Sequence, residues 1–203
     1  MKITIVCEGK TEKAFLPYLR EFLKSRLSGK MPKLDILPFK GLLPKEGKLR
    51  KIVKNLLIGK DAPNHVIALT DVYTGGKPPD FIDANDAKNK MRKWVGKEPR
   101  FHPHAAQYEF EAWLLPYWKT IQQLADMKLP APGNEPEKVN HDKPPAVHIQ
   151  AIFERGPRKS YNKTRDAGRI LKDNDLSLAV EQCPELKAFV NTIISICGGT
   201  VIP

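Results

Sequence analysis

A chain of 203 residues, 41% of them hydrophobic, is long enough to bury a core without disulfide or metal staples and fits one domain, or one domain with a small appendage. Its net charge of +11 favours polyanionic partners, because Lys and Arg attract phosphates over long range. No stretch approaches the roughly 20 apolar residues of a transmembrane helix, and the scattered Cys7, Cys183 and Cys197 form neither a CxxC pair nor a Cys/His metal spacing.

KITIVC (2–7) is a continuous apolar run of strand type. TEKAFLPYLREFLKSRL (11–27) reads as a helix with Phe15, Leu16, Leu19, Phe22 and Leu23 at helical spacing, Thr11 as a candidate N-cap, and Pro17 as the cause of an expected local irregularity. KLDILPF (33–39) alternates like a second strand, EGKLRKIVKNLLIG (46–59) is a second helix, and HVIALTD (65–71) is a third, central strand. A Gly/Pro-rich loop (74–81), a charged helix (83–96) and a short strand at RFHPHAA (100–106) follow, and YEFEAWLLPYW (108–118) opens an amphipathic helix. The Pro-rich segment 128–145 reads as a loop or flexible insert. Beyond it the chain is helical over 146–155, about 162–172 and 184–196. The expected organisation is an α/β core over 1–127, the Pro-rich segment 128–145, and a helical part over 146–203 packed on the core. Repeated β–α alternation with apolar strands predicts a mostly parallel, four-stranded, Rossmann-like open sheet with flanking helices and a C-terminal helical extension. MKITIV has neither the length nor the shape of a secretion signal, and with the free thiols this points to a reducing, cytoplasmic setting.

In open parallel sheets ligands collect beyond the carboxyl ends of the strands. Glu8, followed by Gly9, stands at the first such exit, Asp71 at the third, and Glu109 and Glu111 beyond the fourth. Crowded carboxylates repel, and a divalent cation with oxygen preference, Mg²⁺ or Mn²⁺, compensates them while facing a phosphate. Each acid taken alone also suits an ordinary place: a helix N-terminus for Glu8, a turn for Asp71, a first helical turn for Glu109 and Glu111. On a helix Glu109 and Glu111 face nearly opposite ways, so only one is expected at a shared metal, whereas an extended stretch would let both point one way. There is no GxxxxGK[ST] phosphate loop and no GxSxG elbow, and His102 and His104 lack a third zinc ligand nearby. RGPRKSYNKTRDAGR (155–169) gathers Arg155, Arg158, Lys159, Lys163, Arg165 and Arg169 around Tyr161, either as a phosphate-binding segment with a stacking aromatic or as a solvated basic helix and its loop.

IVCEGKTE with ALTDVY resembles the Toprim domain of topoisomerases, primases and several nucleases. VCEGKTEKAF, TDVYTG, QYEFEAWLL and SYNKTRDAGRI…CPELKAFV resemble, over nearly the whole chain, the Toprim-like domain-of-unknown-function family 4276, in which an Asp-x-Tyr form is usual. EFEAWLL also looks like a segment of the RloB-like family and aligns Glu111 with its glutamate. The resemblance implies Mg²⁺ bound by Glu8 and Asp71, with Glu8 active in proton transfer. Tyr73 stands where the wider Toprim group has a second aspartate. It also implies, loosely, a partner ATPase and a role in phage defence. The expected function is a metal-dependent nuclease or related phosphoryl-transfer enzyme. Glu8, Asp71 and Lys163 would be catalytic, with Glu8, Asp71, Glu111 and Glu109 as metal ligands. Lys10, Arg158, Lys159, Tyr161, Lys163 and Arg165 would contact nucleic acid. The alternative is a non-catalytic nucleic-acid- or protein-binding adaptor on a degenerate scaffold.

Overall fold

β1 (Lys2–Cys7), β2 (Lys33–Pro38), β3 (His65–Asp71) and β4 (Phe101–Ala106) pair in parallel as one sheet in the order β2-β1-β3-β4. The computed structural model describes residues 1–9, 11–39, 41–73, 78–139 and 143–203. β1 and β3 are apolar on both faces because both faces are covered. Ile3, Ile5, Cys7, Ile67 and Leu69 join one buried cluster, while Val6, Val66 and Ala68 join another. α1 (Thr11–Lys24) packs in the first cluster, and α2 (Glu46–Leu56) and α3 (Ala84–Val95) in the second. From β1 the chain crosses outward to β2 through α1, then returns past β1 to β3 through α2. Crossovers of one hand in opposite directions put these helices on opposite faces. They also leave a reversal of strand order between β1 and β3, the place where such sheets open a crevice.

α4 (Trp118–Ala125), α5 (Pro145–Arg155), α6 (Lys163–Lys172), α7 (Leu176–Gln182) and α8 (Pro184–Ile196) thicken the α1 side, around the fully buried Trp113. The Trp113 ring meets Phe110 edge-on at 5.3 Å and Phe189 at 6.1 Å, and its Nε1 donates to Glu137 at 2.9 Å. The described part of the Pro-rich segment is thus pinned to the core. Trp118 Nε1 and Gln122 Nε2 tie it further, both donating to Leu129 O at 2.7 Å.

Three expectations change. α1 runs unbroken through Pro17, which lies on the solvent side, as does Lys13, so the Lys13 carbonyl that Pro17 leaves free faces water. The stretch expected as an amphipathic helix from 108 is a 3-10 helix over Phe110–Tyr117, followed by α4. FEAWLLPY is apolar nearly all round and buried nearly all round, so it has no polar face to set a period of 3.6, and Pro116 withholds an amide. α7, absent from the expected elements, starts at Asp175, whose side chain accepts from Ser177 N at 2.9 Å.

His102 and His104 have structural partners. His102 Nε2 lies 3.1 Å from His65 Nδ1. His104 is buried with its Nε2 2.9 Å from Thr192 Oγ1 and its ring edge-on to Phe189. Thr192 already donates to Ala188 O at 3.1 Å, so His104 Nε2 carries the proton. Burial, and then the charge of Lys88, push its pKa down to about 3. A depressed folded value gives stability that is present above the ordinary value of about 6.5 and is lost as pH falls below it. In urea titrations the stability difference between wild type and His104→Leu should therefore shift by about 2 kcal/mol against wild type between pH 7 and pH 5. A difference independent of pH would show that the imidazole takes up its proton in place.

Candidate functional site

The exits of β1 and β3 lie side by side at the reversal of strand order. Glu8, the first residue past β1, is held by the neighbouring strand: its Oε1 accepts from the Thr70 hydroxyl and, at 3.3 Å, from the Asp71 amide. Burial raises its pKa, and these hydrogen bonds act against that rise. Gly9 N–H donates to Glu12 Oε1 at 3.4 Å, and a Cβ at position 9 would stand 3.2 Å from Glu12 Oε2. Glycine lets the chain turn closely over that carboxyl. Glu12, 5% exposed with its pKa raised by burial, is a site residue that sequence reasoning missed. Its signal was the spacing from Gly9, a glutamate closing back on the amide three residues before it at a helix start.

Asp71 Oδ1 accepts from Phe110 N at 3.0 Å. Burial first, then repulsion from Glu8, Glu12, Glu111 and Glu109, lifts its carboxyl well above the usual range. The chain reaches this position through Tyr108 at φ 70°, a left-handed conformation that bulky residues seldom adopt. Glu109 is extended (φ −149°, ψ 159°) ahead of the 3-10 helix, so it and Glu111 do not diverge as they would within an α-helix. Both reach the Lys163 ammonium, at 3.7 and 3.2 Å. Their remaining bonds differ. Glu109 Oε2 accepts from Ala146 N at 3.0 Å in the first turn of α5. Glu111 is 1% exposed, and its Oε1 lacks a well-formed hydrogen bond, with the Tyr161 hydroxyl beside the carboxylate. Burial raises the Glu111 pKa against the pull of Lys163. For Lys163, burial lowers the pKa, but Glu111 and Glu109 outweigh it and leave the ammonium more basic than usual.

Glu8, Glu12, Asp71, Glu111 and Lys163 share the wall of one open depression of about 270 Å³, and Glu109 is outside that wall. The donor set is hard oxygen, including a buried Glu111 oxygen without a well-formed hydrogen bond, chemistry that suits Mg²⁺ or Mn²⁺. Among the described residues no three acid, imidazole or thiol groups converge closely enough to hold a metal ion, and Lys163 bridges two of the acids instead. Tyr73, two residues past Asp71, is exposed and brings no carboxylate.

Of the residues expected to meet nucleic acid, Lys163 faces the depression, Lys159 is exposed at φ 60°, and Lys10 lies outside the described residues. Arg158 and Arg165 turn towards Asp166. The Tyr161 ring packs on Phe153 at 5.6 Å, tilted by 52°. Its hydroxyl lies buried against the Glu111 carboxylate, and burial, then the Glu111 charge, with a hydrogen bond to Glu111 acting in the same direction, push its pKa up.

An open parallel sheet of this order, with acids where the order reverses, makes this a Rossmann-like α/β protein. The chain belongs to the family described as a domain of unknown function, DUF4276, which matches residues 7–194. Among solved structures, it is similar to the C-terminal region of the Burkholderia pseudomallei OLD protein, with a TM-score of 0.55 and 14% identity over 96% of this chain and 98% of that one. The C-terminal region of the Xanthomonas campestris pv. campestris OLD protein is similar with a TM-score of 0.50 and 15% identity over 97% and 95%. At these identities the likeness is one of fold. No curated protein matches the sequence.

Proposed function

We propose that this protein is a divalent-metal-dependent nuclease, or a related phosphoryl-transfer enzyme, acting on nucleic-acid phosphodiesters. The observation that carries this reading is Glu111. It is a 1% exposed carboxylate with one oxygen short of a well-formed hydrogen bond and a half-exposed lysine as its cation, and it faces the same depression as Glu8 and Asp71. Burying a carboxylate without full compensation is costly, and sites that accept that cost are commonly functional. Glu8, Asp71 and Glu111 would hold Mg²⁺ or Mn²⁺, which would supply charge neutralisation and polarisation of a phosphate oxygen. Glu8, with a pKa raised by burial and its Oε1 fixed by Thr70 and Asp71, takes the proton of the attacking water at its carboxylate. Lys163 donates to a non-bridging phosphate oxygen as charge develops there. The surplus of +11 draws the polyanion in.

The test is a cleavage screen over single- and double-stranded DNA and RNA with Mg²⁺ and Mn²⁺. Glu8→Gln and Asp71→Asn should each cost about 10²–10⁴ in rate with the fold intact by circular dichroism. Cleavage that survives both substitutions overturns the reading. The lack of a ready three-ligand cluster among the described residues, with the exposed Tyr73, favours a second reading as a binding protein without catalysis. That reading expects nucleic-acid binding indifferent to EDTA and no cleavage of any substrate.

A further inference from the structure

One charge in the C-terminal helices has no part in the acid cluster. Asp166 lies on α6, three residues past Lys163, and is 0% exposed. Its Oδ2 accepts from Asn162 N at 2.8 Å, within the N-terminal turn of its own helix. Arg165 grips both oxygens, Nε to Oδ1 and Nη2 to Oδ2, each at 2.8 Å. Arg169 Nη1 reaches Oδ1 at 3.4 Å, and Arg158 Nη1 stands 4.0 Å from the same atom. One carboxylate therefore faces three guanidinium groups, whose side chains remain 40%, 49% and 45% exposed for Arg158, Arg165 and Arg169. Among the described residues none of the three has another carboxylate partner.

Structural need does not account for this arrangement. A buried carboxylate is satisfied by one bidentate arginine, which Arg165 already provides. Gathering two more cations at longer range adds repulsion, leaves two positive charges uncompensated at the surface, and leaves guanidinium donors unspent. The turn that delivers Arg158 is also demanding. Lys159 beside it is in the left-handed region at φ 60°, and a Cβ at Gly156 would lie 1.9 Å from the Ala125 carbonyl oxygen. A surplus of fork-shaped donors held in place by one buried anion matches the geometry of phosphate recognition. Its position matters too. Lys163, which faces the acid depression, is about one helical turn from Asp166, so one strand can meet both.

We propose that Arg158, Arg165 and Arg169 form a clamp for the backbone phosphates of a nucleic-acid strand beside the acid depression, with Asp166 as the residue that positions them. The proposal rests on the reading of the substrate as nucleic acid and adds where that substrate is gripped.

The experiment is fluorescence anisotropy of a labelled single-stranded oligonucleotide in EDTA over a salt series, so that binding is read without cleavage. Arg158→Gln with Arg169→Gln should raise Kd about tenfold or more and lower the slope of log K against log salt by about 1.4, about 0.7 for each lost phosphate contact. Asp166→Asn makes the chain more positive, so charge alone would tighten binding, whereas the clamp requires weaker binding and a smaller slope. Should Asp166→Asn fail to fold by circular dichroism, the double arginine variant decides. Wild-type affinity and slope in that variant, or tighter binding by a folded Asp166→Asn, overturns the clamp. Failure of the nuclease reading appears elsewhere, as cleavage that survives both Glu8→Gln and Asp71→Asn, so the two failures are separable.

Discussion

Asp71→Asn should make the metal-free protein more stable at pH 8 while removing its response to metal. The asparagine Oδ1 can still accept from Phe110 N, so the link between β3 and the 3-10 helix survives. What disappears is a charge disfavoured first by burial and then by Glu8, Glu12, Glu111 and Glu109. Relief of that kind is on the order of 1–2 kcal/mol. For a chain of this size it raises the melting temperature by roughly 2–8 °C. Wild type should gain by another route, because Mn²⁺ at a hundredfold excess over Kd adds about 2.7 kcal/mol. The variant should gain little. Melting curves with EDTA and with Mn²⁺ check both halves. A variant that melts below wild type in EDTA, or that Mn²⁺ stabilises as much as wild type, contradicts the argument. The expected pattern is that of a residue kept for a ligand at a cost in stability.

The same acids show what a sequence can and cannot disclose here. Glu8 and Asp71 were legible because continuous apolar runs mark parallel strands, and the exits of such strands are where ligands collect. Glu12 was not, because a glutamate in a first helical turn is ordinary, and only the fold over Gly9 buries it. Thr70 was hidden inside its strand, since its bond to Glu8 depends on how β1 and β3 pair. The pairing of Glu109 and Glu111 on one lysine depended on an extended residue followed by a 3-10 helix, and a stretch without polar alternation carries no sign of that. Arg158, Arg165 and Arg169 read as a basic run, although a buried aspartate between them sets their geometry. Strand order and burial settle these matters, and both arise from contacts between residues far apart in the chain.

Lys163→Met should have three effects that do not run together: lower stability in EDTA, tighter Mn²⁺ binding, and loss of cleavage. The ammonium lies 3.2 Å from Glu111 and 3.7 Å from Glu109, and without it the buried Glu111 loses its partner. Breaking a fully buried pair costs about 3–5 kcal/mol, but the lysine side chain is 50% exposed and water screens it, so about 1–2 kcal/mol is expected. Glu111 is then left with an unmet demand for positive charge, and a divalent cation meets it without having to compete with a lysine. Removing one like charge at about 6–10 Å from a divalent cation, with an effective dielectric constant near 20, is worth about 3–6 kcal/mol before salt and water screen the half-exposed lysine, so a gain of about tenfold or more in Kd is expected. Titration calorimetry, or the free Mn²⁺ signal in electron paramagnetic resonance, reads that change without substrate. Cleavage should fall by about 10²–10³ all the same, because no cation then meets the charge developing on the phosphate. Weaker Mn²⁺ binding in the variant would mean that Lys163 holds Glu111 in shape for the metal. Tighter binding with lost cleavage would place the lysine's work on the phosphate, with Glu109 and Glu111 holding it only until a metal arrives.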